Sequence, residues 1–218
     1  MLSVIKTISL IGLKGNIVEI QTDISNGIPN FEIVGLPDIR VKEAKERVKS
    51  AIKNSGMEFP NRKIIINLAP ADIRKEGTYF DLPIAIGILT AIGIINEIAI
   101  KKDFVFLGEL SLNGRINGVS GVLPMCLEAK EFGIKKAILP NENIKEASII
   151  KDLDIIPVSS LKEVVEYLNG KIIIKNNNYN KFNIKTDFYK NYYGVDFSEI
   201  KGQEYAKRAL EIAATRIA

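Results

Sequence analysis

The run from Ile64 to Leu89, IIINLAPADIRKEGTYFDLPIAIGIL, sets a β-branched strand, a polar loop and an apolar helix in immediate succession. Ile64, Ile65 and Ile66 lie between Asn61 and Pro70, a pattern that predicts a short central strand covered on both faces. Leu82 to Ile95 is apolar on nearly every side, which predicts a buried helix with Asp81 as N-cap and Pro83 in its first turn. Between strand and helix, Ala69 to Phe80 carries Asp72, Arg74, Lys75, Glu76 and Gly77. Polar loops held between buried elements are where sites tend to lie.

A chain of 218 residues with 46% hydrophobic and 26% charged residues can bury a full core in one domain plus an appendage. With no histidine and one cysteine, neither a His-based triad nor a disulfide framework can be built, and a zinc site lacks its usual ligands. That usage fits a reduced, cytoplasmic setting. Met1 to Ile11 lacks the basic start and long apolar core of an export signal, and Leu82 to Ile95 falls short of the roughly 20 residues of a membrane span. The net charge of +4 permits nucleic-acid contact without indicating it.

Val4 to Leu13 and Asn16 to Thr22 read as a hairpin turning at Lys14 and Gly15, and Phe31 to Val34 as a further strand. In Ile39 to Ser55, the apolar residues Val41, Ala44, Val48, Ala51 and Ile52 recur at helical spacing behind an Asp38 cap. The basic residues of that helix alternate with acidic ones, which favours a solvated surface. Farther on come a strand at Phe104 to Leu107, a hairpin marked by Asn113-Gly114 and Asn117-Gly118, and a helix from Val122 to Phe132. A strand at Lys136 to Leu139, a helix from Asn143 to Ile150 and a strand at Ile155 to Val158 follow. Capping boxes are predicted at Asn143/Glu146 and Ser160/Glu163. Lys171 to Gly194, rich in Asn, Lys and Tyr, reads as a linker. Asp196 to Ala218 starts a new helical unit with Gln203, Ala206, Leu210 and Ala213 on one stripe. The alternation of strands and helices after residue 104, following an all-strand opening, predicts an α/β fold with a partly antiparallel sheet.

Four phrases together carry a family resemblance: SNGIPNFEIVGLPDIRVKEAKERVKSAI, IIINLAPADIRKEGTYFDLPIAIGIL, FLGELSLNGRINGVSGVLP and DFSEIKGQEYAKRALEIAA. The chain resembles the N-terminal part of the bacterial magnesium-chelatase-like AAA+ ATPases known as the YifB or ComM group. The resemblance implies a Lon-protease-like fold, also called ribosomal-protein-domain-2-like, over residues 1–170, with a mixed four-to-five-stranded sheet and packed helices. It further implies a linker at 171–195 and the beginning of an ATPase module at 196–218. Asp196, Phe197, Ile200, Gly202 and Gln203 match the family signature that lies near the adenine, so Ile200, Gly202 and Gln203 are the expected cofactor-side residues. For the parent protein the resemblance implies ATP and magnesium, a homo-hexameric ring, and DNA processing or branch migration during natural transformation, with no membrane partner.

No G-x-x-x-x-G-K-[ST] loop occurs in the 218 residues, so this chain is expected to carry no cofactor of its own and not to hydrolyse ATP. Lon-type peptidases use a serine ahead of the buried helix and a lysine on a later helix. Here those places fall at Tyr79 to Leu82 and at Gly121 to Pro124, which hold neither. The alternatives are a peptidase that uses Thr78 with Lys75 or Lys130, and a single-stranded DNA-binding module using Lys181, Lys185, Lys190 and the tyrosines around them. Asp72, Arg74, Lys75 and Glu76 are expected on a surface loop with local ion pairs, where they could dock a neighbouring subunit or nucleic acid. Cys126 is expected as a small apolar core residue.

Overall fold

In the computed structural model, which describes residues 1–100, 103–174 and 197–215, strands β1 (Leu2–Ile11) and β2 (Lys14–Ser25) form a long antiparallel hairpin. Ile11 pairs with Lys14, so the turn is Gly12-Leu13, two residues earlier than Lys14-Gly15. Gly12, at φ +63°, supplies the left-handed backbone that a two-residue hairpin loop requires. β2 continues antiparallel onto β4 (Lys63–Ala69), which pairs in parallel with β3 (Asn30–Val34) on its other side. The result is a mixed four-stranded sheet in the order β1-β2-β4-β3.

β4 is central, but it is covered on one face only. Ile64, Ile66 and Leu68 are buried, whereas Ile65 and Asn67 remain half-exposed. The open face carries a polar cross-strand bond from Asn67 Nδ2 to Gln21 Oε1 at 2.9 Å, as suits an antiparallel sheet with water on one side. The run of three isoleucines concealed this alternation because Ile65 sits on the wet face.

Helix α1 (Ile39–Asn54) joins β3 to β4 and buries the predicted stripe of Val41, Ala44, Val48, Ala51 and Ile52. The Asp38 carboxylate caps it, accepting from Val41 N at 2.8 Å. Helix α2 (Asp81–Ala91) is buried at every position. Each of its large aliphatic residues contributes about 1.5–3 kcal/mol by leaving water. It lies against β1 and β2 at a spacing set by Gly87, where an added Cβ would meet Thr22 Oγ1 at 2.5 Å. Ser3 Oγ donates to the carbonyl of that same glycine at 2.8 Å.

The second half forms a sheet of its own. β5 (Phe104–Phe106), β8 (Lys136–Pro140) and β9 (Asp154–Val158) run parallel in the order β5-β8-β9, while β6 (Glu109–Leu110) and β7 (Ile116–Asn117) make a small hairpin. Thr7 Oγ1 on β1 donates to Phe106 O at 2.8 Å and ties the two larger sheets together. Helices α3 (Val122–Glu131), α4 (Ile144–Ala147) and α5 (Leu161–Leu168) complete this half. At α5, Ser160 Oγ accepts from Glu163 N, and Glu163 reaches back to Ser159 N, one residue before the cap. The Asn143/Glu146 box does not form. Asn143 Nδ2 bonds Glu146 Oε1 side chain to side chain, and Asn143 Oδ1 accepts from Val119 N.

The chain divides into two compact units, Met1–Asn180 and Lys181–Ala218. In the second, helix α6 (Glu204–Thr215) buries none of its residues. Most of the linker read in the sequence, with Lys181, Lys185 and Lys190, lies outside the described residues. Among the described residues no helix is long and apolar enough to cross a membrane, and no group of three metal-ligating side chains converges.

Candidate functional site

The polar loop ahead of α2 is anchored to the fold at Lys75. Lys75 N donates to Leu36 O at 3.2 Å and Lys75 O accepts from Asp38 N at 2.9 Å, which clamps the loop onto the turn between β3 and α1. Lys75 itself is fully buried at 0% exposure, contrary to its expected place on the loop surface. Its Nζ donates to Pro70 O, and burial holds the ammonium below its usual range despite the opposing pull of Asp72. The long stem explains the difference, since a lysine can thread its methylenes through apolar surroundings to one carbonyl. Arg74 and Glu76 remain exposed and pair at 3.1 Å; Asp72 is exposed as well.

Asp81 also departs from its expected role. Its side chain makes no capping bond to α2; Phe80 holds the cap position, and Leu82 N donates to Gly108 O at 3.0 Å. The Asp81 carboxylate, 0% exposed, turns the other way and accepts from Arg47 Nε at 2.7 Å, Arg47 Nη2 at 2.9 Å and Leu110 N at 3.2 Å. Burial pushes Asp81 up to about 6, against the Arg47 bonds that pull it down, while the same carboxylate raises Arg47. A capping carboxylate needs an open helix end. This end is filled by the segment around Gly108.

The two segments to which the family resemblance assigns a Lon-type serine and lysine, Tyr79 to Leu82 and Gly121 to Pro124, hold residues that pack into the fold. Tyr79 is buried, its hydroxyl donates to Ser9 Oγ at 3.3 Å, and its ring stacks on Phe80 at 4.7 Å. Leu123 packs against the core in the first turn of α3. Thr78 receives no bond from either lysine considered for it. Lys75 Nζ is held by Pro70, and Lys130 Nζ lies 3.1 Å from Asp152. Cys126 is buried, and its thiol is pushed up to about 12.

In the second unit, Ile200, Gly202 and Gln203 form a turn ahead of α6, with Gly202 at φ +72° and Gln203 at φ +58°. Lys207 Nζ folds back to Ile200 O at 2.5 Å. All three residues are exposed.

A second feature lies on the helix whose mixed charges favoured a plain solvated surface. A groove of about 520 Å³ opens between α1, β3 and the segment before β4, lined by Lys45, Lys49, Lys53, Arg62, Phe31 and Phe59 among others. The loop between β2 and β3 contributes Pro29, and β3 contributes Asn30.

A family model described as subunit ChlI of Mg-chelatase matches residues 20–143, more than half of the chain. The chain belongs to the magnesium-chelatase-like family of ComM and YifB. It is 40% identical over 220 residues to competence protein ComM of Haemophilus influenzae, covering 98% of this chain and 41% of that protein. With YifB of Escherichia coli the identity is 38% over 215 residues, covering 98% of this chain and 40% of that protein. Lon protease 2 of Bacillus subtilis is 33% identical over 132 residues, 61% of this chain and 23% of the protease, in keeping with a Lon-protease-like α/β fold. The chain thus spans about two fifths of the length of its magnesium-chelatase-like relatives.

Proposed function

We propose that residues 1–170 are a non-catalytic, Lon-protease-like accessory domain of a magnesium-chelatase-like AAA+ ATPase. A linker at 171–195 and the start of the ATPase module at 196–218 follow. The parent is a cytoplasmic homo-oligomeric ring that uses ATP and magnesium in DNA processing, as the name of the competence protein suggests. What supports the non-catalytic reading is the packing of the two segments to which the resemblance assigns nucleophile and base: Tyr79 is buried in the first, Leu123 lies against the core in the second, and the Asp81 carboxylate is engaged by Arg47.

The domain's work is then mechanical, presenting surfaces beside the ATPase ring. The test is incubation of the purified chain with an unfolded protein substrate and, separately, with ATP and magnesium. Neither peptide cleavage nor phosphate release above background is expected. Cleavage that stops with a serine-protease inhibitor, or turnover of ATP, would overturn the reading.

A further inference from the structure

We propose that the groove between α1 and β3 binds a single-stranded polynucleotide, which on the reading above is DNA. Lys45, Lys49 and Lys53 recur every fourth residue, so they line one side of α1 at intervals of about 6 Å. Arg62 adds a fourth cation from the segment before β4. Among the described residues none of these four makes an ion pair or a side-chain hydrogen bond. Glu46 is the one carboxylate of the lining. Glu43, on the same helix, pairs with Arg47 at 3.8 Å. A row of unpaired cations along one wall is complementary to a phosphate backbone.

The floor supplies the second component. Phe31 and Phe59 are half-buried, with ring centroids 5.9 Å apart and planes inclined at 41°. Aromatic faces beside a basic track give unpaired bases a stacking surface, and a duplex, whose bases are already stacked, cannot use it. The volume lies within the range of ligand sites. Lysines for phosphates and phenylalanines for bases therefore select a single strand over a double one.

The test is fluorescence anisotropy of the full chain with a labelled dT20 oligonucleotide, with U20 and a DNA duplex of equal length alongside, across a salt series. Saturable dT20 binding at low salt is expected, with log K falling against log salt at a slope of about −2 to −3, or roughly 0.7 per phosphate. Replacing the exposed pair by K49Q/K53Q, which leaves the core untouched, should weaken binding and make that slope shallower by about 1.4. Phe59→Leu, its fold checked by circular dichroism, should cost about 5- to 100-fold in affinity with the slope unchanged. Absence of binding at low salt, tighter binding of the duplex, or unchanged affinity in K49Q/K53Q would overturn the proposal; tighter binding of U20 would overturn the assignment to DNA. The peptidase assay above reads different residues, so a chain that cut peptides would defeat the accessory-domain reading and leave the groove standing.

Discussion

Arg47 on α1 and Asp81 at the start of α2 share two hydrogen bonds, 2.7 and 2.9 Å, across 34 residues of sequence. The pair fastens the first amphipathic helix to the buried one, and Arg47 Nη2 also donates to Arg40 O at 2.9 Å. Removing the arginine strands a carboxylate that no water reaches. Arg47→Met is therefore expected to destabilise the domain by about 3–5 kcal/mol. Asp81→Asn, which can still accept from Arg47 and Leu110, should cost less. Urea unfolding of the two variants at neutral pH checks the order, and equal losses would show that the pair is not what holds these helices.

The titration of Asp81 gives stability a particular pH dependence. Its carboxyl sits at about 6 when folded against an ordinary 3.8, so the folded state binds the proton more tightly than the unfolded chain. A carboxyl raised by folding stabilises fully below its unfolded value, and that contribution fades as pH rises through the folded one. The contribution is at most about 3 kcal/mol. Wild type should lose stability relative to Asp81→Asn between pH 4.5 and 7.5. Parallel unfolding curves for the two proteins over that range would contradict the assignment.

Thr22 Oγ1 is buried beneath Gly87 of α2 and has no hydrogen-bond partner among the described residues. Replacing the hydroxyl by a methyl removes an unmet polar group at nearly constant shape, so Thr22→Val should raise stability by about 1 kcal/mol. Gly87→Ala should do the reverse, by about 1–3 kcal/mol, because its new methyl would collide with that hydroxyl. In a Thr22→Ala background part of the loss should return. Melting temperatures of wild type, Thr22→Val, Gly87→Ala, Thr22→Ala and the Thr22→Ala/Gly87→Ala double variant suffice to check this.

Cys126 is expected to resist a thiol reagent in the folded chain at pH 8 and to react promptly in denaturant. Burial deprives it of both access and the thiolate form. Rapid labelling of the native protein would show that α3 opens readily.

Periodicity made the elements legible, and chain-distant pairing did not. The five buried residues of α1 and the Asp38 cap were readable because helix period and cap chemistry are local. The division into two larger sheets was not, since nothing in Phe104 to Phe106 announces that it will pair with Lys136 to Pro140 rather than join β1. Asp81 misled for the same reason. An acid just before an apolar helix looks like a cap, and only the approach of Arg47 and the Gly108 segment converts it into a buried ion-pair member. Lys75, read among charged neighbours, could not disclose a buried stem. The groove as a whole was hidden, because three of its cations come from α1, the fourth and Phe59 from the segment before β4, and Phe31 from β3.

One period of α1 settles two matters at once. The turn that points Arg47 inward to Asp81 leaves Lys45 and Lys49 on another side of the same rod, so the basic wall is rooted in the hydrophobic interior. A strand laid along that wall would meet a platform already assembled, and the entropy lost on docking would fall almost wholly on the nucleic acid.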